Sequence, residues 1–173
     1  KQGLQELRLG IASIGGKKGP PQELQQEVIN LFNQGKFQIV IHRLKQILGS
    51  FPNSYSLWSL MGASYINTNQ FNEAIECFQK IIDLSSDYID AYIQKAELLY
   101  VIGKLEESLY IYQQAIKIDI ENADLYIRCA IIFNKLGRVD EAICSYYKSI
   151  EMKPKDSVGY KGLGYIYKAM RKY

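Results

Sequence analysis

The stretch Trp58 to Phe78, WSLMGASYINTNQFNEAIECF, decides how the rest of the chain is read. Trp58, Met61 and Tyr65 stand at i, i+3 and i+7, one stripe of a helix, and Ala74 and Phe78 stand at i and i+4 on a second helix. Gly62 lies inside the first stripe and has no side chain, so two helices can cross closely there. Asn69 sits between the stripes and tolerates positive φ, as the end of a helix before a tight reversal commonly requires. These spacings describe a helix-turn-helix unit.

The same unit recurs. Gly35, Asn69, Gly103 and Gly137 are 34 residues apart each time, and two residues later stands an apolar residue, Phe37, Phe71, Leu105 or Val139, that opens a second helix. The place of Trp58 is taken by Leu24, Tyr92, Tyr126 and Tyr160. That of Tyr65 is taken by Leu31, Leu99, Phe133 and Tyr167, and that of Phe78 by Leu44, Tyr112 and Tyr146. The small-residue column reads Val28, Gly62, Ala96, Ala130 and Gly164. With its period and its Trp-x2-Met-Gly-x2-Tyr, Ala-x3-Phe spacing, the chain resembles the tetratricopeptide repeat (TPR) family, departing from the signature at Met61, where leucine is usual. The resemblance covers all but about the first twenty residues. It implies an all-α fold, a right-handed α-solenoid of four full repeats, 21–54, 55–88, 89–122 and 123–156, followed by a terminal helix, 157–173. Pro52 and Pro154 close the second helices of repeats one and four. Ser86 and Ile120 stand in the proline's place between them, where a less sharply terminated joint is expected.

Outside the repeats, residues 1–14 place Leu4, Leu7, Ile11 and Ile14 on one helical stripe, and the Gly- and Pro-dense residues 15–20 read as a linker. This amphipathic segment is expected to cap repeat one, to occupy a groove of its own or a neighbouring chain, or to be an incidental tag without a structural role. That makes a homo-oligomer one of the expected arrangements.

Composition narrows function by exclusion. At 173 residues and 47% hydrophobic the chain is of globular type. The ends are basic and the middle acidic, without a Lys/Arg stripe interleaved with aromatic platforms, so nucleic acid is not the expected partner. Cys77, Cys129 and Cys144 lack paired spacing and read as small hydrophobes, neither a disulfide framework nor a zinc site. No apolar run reaches the ~18 residues of a membrane span, and no secretory leader is visible in residues 1–14; a cytoplasmic protein is the expectation. His42 is the one histidine, set in the second helix of repeat one, away from Cys129 and Cys144, and no phosphate loop occurs. Paired acids such as Glu106–Glu107 and Asp140–Glu141 stand just inside second helices, where the helix dipole favours them. No catalytic residue, metal site or cofactor is expected.

The TPR resemblance implies that first helices line a concave face. Counting one, five, eight and nine residues on from the Trp58 column selects a groove of Ile29, Phe32 and Asn33; Ile66 and Asn67; Ile93, Glu97, Tyr100 and Val101; and Ile127, Ile131, Asn134 and Lys135. The terminal helix supplies Lys161, Tyr165 and Lys168 to the same columns. The apolar members suit a partner site. The carboxylate clamp of chaperone-tail binders is not supplied by Gln25, Ile29, Ser59 and Ala63. The asparagine ladder of glycosyltransferase superhelices is replaced by Gln26, Leu60, Gln94, Arg128 and Gly162. The expected function is a non-catalytic scaffold that binds an apolar peptide or helix. The alternative, by analogy with TPR arrays that open on a Gln-rich repeat, is the N-terminal module of a longer glycosyl- or sulfotransferase.

Overall fold

The computed structural model describes residues 19–171. The expected amphipathic helix at 1–14 and most of the linker lie outside them. Among the described residues there are nine helices and no strand: α1 (Gln22–Asn33), α2 (Phe37–Ser50), α3 (Tyr55–Asn67), α4 (Phe71–Leu84), α5 (Ile89–Val101), α6 (Leu105–Ile118), α7 (Ala123–Lys135), α8 (Val139–Met152) and α9 (Ser157–Met170). They fall into two compact units, α1–α4 and α5–α9.

One turn geometry makes every hairpin. Gly35, Asn69, Gly103 and Gly137 carry φ of 73°, 59°, 82° and 75°. The residue after each of them donates its N–H back to the carbonyl five residues earlier: Lys36 to Leu31 at 3.1 Å, Gln70 to Tyr65 at 2.9 Å, Lys104 to Leu99 at 2.8 Å and Arg138 to Phe133 at 2.9 Å. This closure satisfies carbonyls that the helix end would otherwise leave open, and the left-handed residue is what lets the chain reverse within it. Arg171 stands one period after Gly137 but keeps φ −76° as the C-cap of α9.

In the first unit, α1 packs on α2, α2 on α3, and α3 on α4. Val28 and Val40 of the first hairpin are fully buried, although small residues are usual in those columns, and Leu44, Phe78 and Ile81 are buried to 2% exposure or less. Gly62 is buried where α3 crosses α4; a Cβ there would stand 3.1 Å from the Phe78 ring. Trp58 is partly buried, its indole N–H donating to the Pro52 carbonyl at 2.7 Å. The second unit repeats the scheme, with α5 on α6, α7 on α8, and α9 laid against α8 and α7. Ala96, Leu125, Ala130 and Ala142 are inaccessible, and Ser108 in the small column of α6 donates to the Ala96 carbonyl at 2.6 Å.

The joints without proline differ from expectation. α4 and α6 end at Leu84 and Ile118, in register with Ser50 and Met152 of the proline-closed helices. Their caps, Ser85 (φ −150°, ψ 98°) and Asp119 (φ −133°, ψ 89°), are as extended as Phe51 and Lys153. At the second of these joints, burial of Ala123 and Leu125 in the next helix draws the chain out of α6 whether or not proline forbids continuation.

Candidate functional site

The groove positions lie on first helices within each unit. In the first unit Phe32 is partly buried and meets Phe37 edge to face, ring centres 5.2 Å apart, so its ring belongs as much to its own hairpin as to the surface. Ile29 and Ile66 are partly buried and Asn33 is exposed. The Asn67 amide donates to the Ala63 carbonyl one turn back at 2.8 Å, which holds it along α3.

The second unit carries the larger accessible surface. Val101 is 62% and Ile131 39% exposed, while Ile93, Glu97 and Tyr100 are partly buried and Asn134 and Lys135 exposed. Ile127, in the same set of columns, is covered to 9% and supports the surface from below. Two polar contacts join α5 to α7 across this face. Glu97 is ion-paired with Arg128, and the Lys135 ammonium lies 4.7 Å from the centre of the Tyr100 ring. The face is therefore an apolar strip, Ile93, Tyr100, Val101 and Ile131, crossed by an ion pair and edged by a lysine.

Arg128 is the residue that spacing did not single out as part of this face. It lies 5.9 Å over the Tyr112 ring as well as pairing with Glu97, and so connects the face to α6 behind it. Burial pushes the Tyr112 phenol above its ordinary value, against the pull of the Arg128 guanidinium. The signal in the sequence is an acid in α5 and an arginine one residue past Ile127 in α7, opposite charges on neighbouring first helices.

Elsewhere the described residues offer isolated groups. His42 is exposed beside the Gln46 amide at 3.3 Å. Cys77 and Cys129 are buried, and burial lifts both thiols to about 12; Cys144 is exposed. Among the described residues no three His, Cys, Asp or Glu side chains come together as a metal site, and no helix is long and apolar enough to cross a membrane.

Two segments, 55–88 and 123–156, match the tetratricopeptide-repeat family. No curated protein sequence matches the chain. Solved structures share its fold. A crystal structure of MamA is 25% identical, with a TM-score of 0.73 over 83% of this chain and 84% of that one. MamA 41-end from Desulfovibrio magneticus RS-1 is 16% identical, with a TM-score of 0.73 over 87% and 84%. A tetratricopeptide repeat protein from Parabacteroides merdae ATCC 43184 is 17% identical, with a TM-score of 0.80 over 88% of this chain and 60% of that one. The left-handed turns, the hairpins they close and the two matched repeats place this chain in the tetratricopeptide-repeat family.

Proposed function

We propose that the chain is a non-catalytic interaction scaffold whose first-helix face binds an apolar peptide or helix, with residues 21–156 acting as four repeats and 157–173 as the terminal helix. The observation that carries this reading is the α5–α7 strip, where Val101 and Ile131 stand exposed beside Tyr100 and Ile93 while the flanking helices are tightly packed. An apolar side chain from a partner would settle between Tyr100 and Ile131. Glu97, Arg128, Lys135 and Asn134 would fix its direction by hydrogen bonding at the rim. Taken by itself, the first unit presents Ile29, Phe32 and Ile66, with Asn33 and Asn67, as its own candidate contact positions on first helices. Ile127 acts as floor. The matched tetratricopeptide repeats, of a kind that serves as interaction modules, suit such a role.

The experiment is a random-peptide display library panned against the full chain, with the double variant Tyr100→Glu, Ile131→Glu as counter-screen. Selected peptides enriched in apolar residues that lose binding to the double variant, while its circular dichroism stays helical, support the face. Equal binding to both proteins overturns it.

A further inference from the structure

The charges around the α5–α7 strip select the chemistry of its partner, given that the strip is the partner site proposed above. Three cations around α7 already hold carboxylates: Arg128 holds Glu97, Arg138 holds Glu106 and Glu141, and Lys153 holds Asp124 at 3.2 Å. Lys135, at the turn end of α7, holds no carboxylate among the described residues. Its ammonium stands 4.7 Å from the centre of the Tyr100 ring, at the edge of the strip. α7 is an interior helix, packed on α6 and α8 and touched by α9, so this lack of a counter-charge is a property of a filled position in the fold.

An ammonium has three donors and no acceptor, and a ring face satisfies it only in part. Water supplies the rest while the strip is bare. A partner that lays an apolar side chain between Tyr100 and Ile131 displaces water beside Lys135, and a cation stripped of water without a counter-charge opposes binding. A carboxylate on the same partner removes that penalty and adds a charge-assisted hydrogen bond. Asn134, next to Lys135 in the chain, is exposed and offers amide N–H donors as well.

The other charges near the strip do not offset Lys135. Glu97 is neutralised by Arg128, and Asp124 by Lys153. Glu106 and Glu107, in the first turn of α6, pair with Arg138 and Lys104. Asp90 opens α5, about 15 Å along that helix from Val101, the counterpart of Lys135. Lys161 and Lys168, in the groove columns of α9, are exposed and carry the same sign as Lys135. An anionic partner is therefore favoured over a neutral or cationic one. We propose that the α5–α7 strip binds an acidic amphipathic segment of another protein, its apolar side chains on Tyr100 and Ile131 and a side-chain carboxylate on Lys135.

The test pans the random-peptide display library in parallel on the full chain and on its Lys135→Glu variant. Peptides selected by the parent are expected to join apolar residues with Asp or Glu, and those selected by Lys135→Glu to carry Lys or Arg in place of the acid. A fluorescein-labelled copy of the most enriched acidic peptide, and a version with Gln for each Glu and Asn for each Asp, are then titrated by fluorescence anisotropy. Loss of the peptide's carboxylates, or Lys135→Gln in the protein, is expected to weaken binding by roughly fivefold or more, most at low salt, and the two changes together to cost little beyond either alone. Lys135→Arg retains binding. Lys135 is exposed, so these variants keep their helical circular dichroism. Selected peptides without an acidic bias, equal affinity for the neutral version, or fully additive losses overturn the proposal. Binding abolished by amidating the peptide's C-terminus overturns it too, by placing the carboxylate at the chain end. Apolar peptides that depend on Tyr100 and Ile131 but not on Lys135 leave the scaffold reading standing and sink this one; no preference for the parent over Tyr100→Glu, Ile131→Glu sinks both.

Discussion

The Ser108 hydroxyl donates a 2.6 Å hydrogen bond to the Ala96 carbonyl at the point where α5 and α6 cross. Both residues are inaccessible to solvent, and Ala74 and Ala142 stand in the equivalent places of α4 and α8. Ser108→Ala is expected to cost about 1 kcal/mol, the net worth of a buried hydrogen bond. Ser108→Leu forces the helices apart and costs about 1–3 kcal/mol. Urea denaturation at neutral pH measures both, and a Leu variant no less stable than the Ala variant would contradict the tight crossing.

Two glycines of α9, two residues apart, should respond with opposite sign. Gly162→Ala places a Cβ 2.3 Å from the Tyr146 ring and is expected to destabilise by about 1–3 kcal/mol. Gly164→Ala meets nothing and gains the helix propensity of alanine, about 0.5–1 kcal/mol. Thermal melting of the two single variants should fall on either side of the parent.

Phe78 and Trp58 are both signature aromatics, yet they should not contribute equally. Phe78 is 2% exposed and fills the α3–α4 crossing, so Phe78→Ala is expected to cost about 3–5 kcal/mol. Trp58 keeps part of its surface in solvent and anchors the Pro52 carbonyl. Trp58→Ala should cost about 2–3 kcal/mol, the lost hydrogen bond included. A larger loss at Trp58 than at Phe78 by chemical denaturation would reverse the assignment of the core.

Alkaline pH should unfold the protein progressively. Burial lifts the Cys77 and Cys129 thiols from their ordinary 9.0 to about 12, and burial also raises the phenols of Tyr112 and Tyr146. A raised folded-state pKa means that the native chain holds its proton while the unfolded chain releases it. The stability from these groups is therefore intact below pH 9 and declines as the pH climbs from 9 towards 12. Urea midpoints across that window should fall, and the double variant Cys77→Ala, Cys129→Ala should fall less steeply than the parent from its own starting stability. An unchanged midpoint from pH 9 to 11 would contradict the burial of these groups.

The hairpins were legible in the sequence because each rests on local rules: a stripe at i, i+3, i+7, a residue tolerant of positive φ, an apolar residue two places on. Gly35, Asn69, Gly103 and Gly137 all adopt the left-handed conformation their column demands. The joints after Leu84 and Ile118 are sharper than the missing proline suggests, because proline is one sufficient cause of termination, and packing is another that leaves no single-residue mark. The candidate face was legible as columns but not as exposure. Counting cannot reveal that Ile127 is covered while Ile131 is open, since that depends on how far neighbouring helices overlap. Nor does it pair Glu97 with Arg128, which are close only once α5 and α7 lie side by side.

The buried thiols of Cys77 in α4 and Cys129 in α7 fall one in each compact unit, and Cys144 is open to solvent. Once Cys144 is blocked, slow modification of the other two by a disulfide reagent reads the opening equilibrium of each unit separately, at two sites native to the chain. Equal protection is the result expected of units that open together, as one cooperative block. A faster Cys77 or Cys129 would identify the half of the array that breathes first, and with it the half in which a partner could gain most by holding the helices closed.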